Sequence, residues 1–157
     1  MKKTTTTTAL CLTLAMLAAP ALARPVTITT TMKPYGGNGA YLALYLTDAQ
    51  GAYQGTIWMS GQKMKYWRDL SGWYRATGGA PSGIDAITGA SVGAGRTLTV
   101  TVDLADALID AGYQIRVDSA VEDMGARPAE VAASLTTGGK GQPVAGRGFV
   151  QSLQYDF

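Results

Sequence analysis

The chain has 157 residues, with 13 Lys and Arg against 11 Asp and Glu, one Cys and no His. It therefore lacks a Ser-His-Asp or Cys-His pair for nucleophilic catalysis and a donor set for zinc, copper or haem. No catalytic residue and no metal ligand is assigned, and any redox or transfer chemistry falls to a borrowed cofactor.

Residues 1–23 read as a cleaved export signal. Lys2 and Lys3 are followed by an apolar run, Ala9 to Leu17, too short to span a bilayer, and Ala21-Leu22-Ala23 has the small-x-small form of a peptidase site. Cleavage after Ala23 removes Cys11 and both lysines, leaving eleven basic residues against eleven acidic ones. Residues 24–157 are then expected to form one periplasmic domain, held without disulfides. Its balanced charge carries no footprint of nucleic acid, and the mature chain offers no segment for membrane insertion.

In chain order, Val26, Ile28, Thr30 and Met32 alternate with Thr27, Thr29 and Thr31, which predicts a half-buried strand. Residues 33–40 form a Gly-rich loop, and Gly36, Gly37 and Gly39 lack the strand-to-helix context of a nucleotide-binding fingerprint. Residues 40–48 are apolar on both faces, as in a strand covered on both sides, and residues 53–61 return as its hairpin partner.

Residues 62–76 change period. Met64, Trp67 and Leu70 recur every three residues between Lys63, Lys65 and Arg68, predicting a short amphipathic helix broken near Gly72. Trp58 and Trp67 are expected in the core. Trp73 and Tyr74, beside the glycine-rich stretch, are candidates for a wall on which a flat ring stacks. Lys63, Lys65, Arg68 and Arg75 are either a solvated face or a patch receiving a phosphate.

Residues 77–95 make an unusually long low-complexity loop, which in a compact domain points to function or disorder. Beyond it, residues 96–104 and 112–122 alternate cleanly, 130–137 form a weaker strand, and 149–157 close the chain as a strand. Asp103, Asp106 and Asp110 lack the glycine and glutamate of a calcium loop and read as a solvated turn. The sum is an all-β fold: a single antiparallel β-sandwich, immunoglobulin-like in outline, with one short helix and a long Gly-rich loop.

The loop carries Asp85-x-x-Thr88-Gly89-Ala90-Ser91. This resembles the recognition motif of the periplasmic FMN transferase, which joins FMN by a phosphoester to the final hydroxyl of its target. The resemblance implies Ser91 as the attachment point, with Asp85, Thr88, Gly89 and Ala90 recognised around it. Ser stands where Thr is more usual, and both alcohols form the same ester. A structural alternative is a turn in which Asp85 bonds its own backbone and Ser91 starts a strand.

A second resemblance covers most of the mature chain. Residues 55–76, 85–91, 96–104 and 112–123 are similar to the periplasmic family called domain of unknown function 2271. It implies a redox setting beside PepSY-type membrane partners. Together these imply a flavin-bearing electron-transfer protein. The alternative is a non-enzymatic exported module binding a protein or glycan, whose sign is a buried Ser91 beside an exposed Trp73 and Tyr74.

Overall fold

The computed structural model describes residues 22–79, 84 and 87–157. The expected signal up to residue 21 and the motif's Asp85 lie outside the described residues. Among the described residues, strands form two sheets. One orders β5 (Thr97–Ala105), β1 (Ala23–Met32), β9 (Val150–Asp156) and β8 (Val144–Ala145). The other orders β4 (Thr88–Gly89), β3 (Tyr53–Ser60), β2 (Tyr41–Thr47), β6 (Gln114–Val121) and β7 (Gly125–Ser134).

The fold is an all-β sandwich with a helical cap. Leu42, Leu44 and Leu46 of β2 meet Val26, Ile28, Val100 and Leu153 of the facing sheet in the main core. The alternate residues Tyr41, Ala43 and Tyr45 face the other way, onto Trp67, Leu70, Trp73 and Ile84. Every residue of β2 is consequently buried, the arrangement its unbroken apolar run required. Each fully buried aliphatic side chain contributes roughly 1.5–3 kcal/mol.

On the outer face of the first sheet, Thr27 pairs across the strands with Thr101, and Thr31 with Thr97. The alternation of threonines with Val and Ile is thus the sheet's own inside–outside pattern. Most pairings are antiparallel, but β4 runs parallel to β3, joining Met59 to Thr88 and Ser60 to Gly89.

Residues 62–76 differ from a single helix. A 3₁₀ segment, Met64–Asp69, is followed by the helix α1 (Ser71–Ala76), with the break at Leu70 rather than Gly72. A repeat of three residues is the period of the 3₁₀ form, so the spacing matches the geometry. Trp67 and Leu70 point inward, while Met64 is 67% exposed.

The β6–β7 hairpin also departs from expectation, because β7 begins at Gly125 rather than near residue 130. Pro128 and the positive φ of Ala129 obscure that start, and the pairing register with β6 shifts between Val117 and Ser119. This irregularity organises two buried carboxylates. Asp118 accepts from the Tyr45 hydroxyl and from the backbone of Trp73 and Ala129. Glu130 accepts from the Ser119 hydroxyl and from the backbone of Gly148 and Val150. Both sit below 4% exposure and are fully partnered, as buried charge requires. Burial first, then the neighbouring Asp118 carboxylate, raises the pKa of the Tyr45 phenol, which stays a donor.

Candidate functional site

The motif loop is anchored at several points. Ile84 is buried in the cluster with Trp67 and Trp73, and Ile87 packs against it. Gly89 accepts from the amide of Gly61, and Val92 exchanges both backbone hydrogen bonds with Ala40, at 2.7 and 2.9 Å. Between these fixed points Ala90 and Ser91 are exposed. Farther on, Arg96 gives its carbonyl to Met32 and leads into β5. The loop therefore crosses from the edge of one sheet to the edge of the other, with the candidate acceptor Ser91 among its exposed residues.

Two glycines keep that place clear. A Cβ on Gly39 would lie 2.7 Å from Ser91 Oγ, and one on Gly89 would lie 2.7 Å from Trp58 Cζ2. Neither has a positive φ that would explain it; in both cases the reason for glycine is close approach. Gly39, set aside in the sequence as a fingerprint residue, thus lies beside Ser91 without a side chain to crowd it.

Beside Ser91 opens a concavity of about 340 Å³, formed by Trp58, residues 89–93, Arg96, Thr97 and Leu98. It lies where β3 and β5, on different sheets, approach at the open side of the sandwich. Its size is at the low end of the roughly 300–1,000 Å³ of ligand sites. A larger recess of about 410 Å³ is lined by Tyr41, Tyr66, Asp69, Glu122 and Asp123. Its carboxylates would repel a phosphate, so the smaller site is the one whose chemistry fits the motif.

Of two tryptophans, one is more buried than expected and the other less. Trp73 cannot be a wall for a ligand, because it is 0% exposed. It stacks edge-on against Trp67 at 6.1 Å and donates Nε1–H to Thr56 Oγ1 at 2.8 Å. Tyr74 is half-buried in the cap beside Gly79 and is not among the residues lining the concavity. Trp58, expected in the core, is half-buried: it packs against the main core and also lines the concavity. The cause is a bulge in β3. Leu44 pairs with Trp58 and Tyr45 with Thr56, leaving Ile57 as the extra residue. Thr56 therefore faces the cap while Trp58 turns to the sandwich side.

The cations differ likewise. Lys65 lies over the Tyr66 ring, and the Arg68 and Arg75 side chains donate to carbonyls of Lys65 and Ser71. Neither these nor Lys63 line the concavity; Arg96 does. Asp106 instead pairs with Arg24 at 2.6 Å, and Asp110 accepts from Thr137. Among the described residues no group of three or more His, Cys, Asp or Glu has metal-binding geometry, and no helix is long and apolar enough to cross a membrane.

Fold and site define a two-sheet β-sandwich with a helical cap and an exposed serine on a glycine-bounded loop. The chain belongs to the family described as predicted periplasmic protein (DUF2271), whose model matches residues 23–152, and its location is the periplasm. No curated protein and no solved structure matches it.

Proposed function

We propose that this periplasmic protein is an electron carrier holding FMN through a phosphoester on Ser91. The observation that carries the reading is the exposure of Ser91 between two residues, Gly89 and Val92, fixed by backbone hydrogen bonds. An attachment point needs an oxygen within reach of another enzyme and a mount that holds the product in place. The glycines at 39 and 89 support the same reading, since either Cβ would crowd the acceptor or the adjacent indole. The exposed Ser91 and buried Trp73 disfavour the partner-binding module, which required the opposite of each.

The chain has no His to activate Ser91, so activation belongs to the FMN transferase. In the attachment step the Ser91 Oγ–P bond forms as the pyrophosphate bond of a flavin dinucleotide donor breaks. The hydroxyl proton passes to a base of the transferase, and the nucleoside monophosphate half leaves. The bound flavin supplies reversible electron uptake; the protein supplies attachment, shielding and a docking surface. A PepSY-type membrane protein is the proposed redox partner, by the family resemblance.

The test is intact mass and in-gel flavin fluorescence after export alongside the transferase. Wild-type protein gains one FMN less water, and Ser91→Ala gains nothing while keeping its stability to about 0.5 kcal/mol, as befits an exposed site. Wild-type protein emerging at its unmodified mass, and dark on the gel, overturns the reading.

A further inference from the structure

We infer that Trp58 and Arg96 form the seat of the flavin, with the indole packing against the ring system and the guanidinium facing the phosphodiester. This rests on attachment at Ser91. Both side chains line the concavity that Ser91 borders. Trp58 pairs with Leu44 beside the Ile57 bulge and so shares the sandwich side of β3, at whose margin the concavity lies. The missing side chain at 89 lets the loop backbone lie close against the Cζ2, Cε2 and Nε1 edge of that indole, which brings the ring beside the acceptor loop. Its Nε1–H donates to Ser60 Oγ at 3.2 Å, which holds the half-buried indole, itself packed against the main core, at the margin of the concavity.

Arg96 is exposed, and among the described residues no carboxylate pairs with it. A planar, permanently charged fork next to the acceptor is suited to the anionic diester that attachment creates. The larger recess offers aromatic rings, Tyr41 and Tyr66, but carboxylates where this one has a cation.

The experiment compares flavin-loaded wild type with Trp58→Leu, Trp58→Phe and Arg96→Gln, each first checked by intact mass. An indole against the ring quenches flavin emission and gives it visible circular dichroism; unfolding in urea restores the emission. Losing an aromatic contact lowers the docked-to-undocked ratio about two- to tenfold in Trp58→Leu, and Trp58→Phe recovers part of the dichroism. Arg96→Gln removes the salt sensitivity of that signal. A fully loaded wild type whose emission and dichroism match those of free FMN overturns the seat and leaves attachment standing. So does a Trp58→Leu protein, folded by far-ultraviolet dichroism, with the wild-type flavin signal. A wild type without adduct removes attachment and the seat together, a result distinguished by mass alone.

Discussion

Gly89→Ala probes whether the motif glycine serves the protein's own packing. The added Cβ would stand 2.7 Å from Trp58 Cζ2, where carbon atoms rest at about 3.5–4.0 Å. The indole must therefore retreat by about 1 Å, against a loop fixed by the Gly61–Gly89 hydrogen bond. Overpacking of this kind costs about 1–3 kcal/mol, and the stiffer unfolded chain returns about 0.4–1 kcal/mol. The expected net loss is about 1–2 kcal/mol, or about 4–8 °C in Tm. Thermal melts read by tryptophan emission measure it. Gly138→Ala, where a Cβ meets nothing within 4 Å, is the control. In the double variant with Trp58→Leu the loss should largely vanish, since the clash has lost its partner. An unchanged Tm in Gly89→Ala, or an undiminished loss in the double variant, refutes the contact as the reason for glycine.

Trp73→Ala should cost about 3–5 kcal/mol by urea titration, because a fully buried indole leaves a cavity in the cap; a cost below 1 kcal/mol would place the ring at the surface. Trp73→Phe keeps most of that volume and loses about 1 kcal/mol with the bond to Thr56. Asp118→Ala strands two buried donors, from Tyr45 and Trp73, and the half-buried amide of Ala129, and should cost about 3–5 kcal/mol on the same measurement. The hydrogen bond from Arg24, then its charge, holds the Asp106 carboxyl below its ordinary 3.8. A lowered folded-state pKa gives stability that is present above that value and lost as pH falls through the folded one. Arg24→Gln should thus lower Tm slightly at neutral pH, and the difference should close below the ordinary carboxylate range in a melt series; a gap persisting in strong acid contradicts the pairing.

The strands were legible where one local rule governed them. Threonine alternation placed β1 and β5, and the apolar run of residues 41–47 required cover on both faces, which the cap supplies. What stayed hidden depends on partners distant in sequence. The Ile57 bulge shifts the phase of β3, which the sequence does not mark, so the concavity beside Trp58 stayed hidden, and nearness to the loop drew Trp73 to the surface. Asp118 and Glu130 look like ordinary strand and turn charges until backbone donors up to 45 residues away close around them. Of the site, the acceptor motif was readable because it is contiguous. Gly39, Trp58 and Arg96 were not, since the Ala40–Val92 bridge and the turn into β5 bring them to it.

The parallel pairing of Thr88 and Gly89 with Met59 and Ser60 gives the acceptor loop a second duty. Those two residues occupy the sheet rim where a strand from another molecule would otherwise add, and short irregular rims of this kind guard sheet proteins against self-association. A deletion that removes the motif therefore also opens the rim to intermolecular growth. Colour lost from a monomer and colour lost from a precipitate consequently mean different things, and single-atom changes at Ser91 are the cleaner way to separate them.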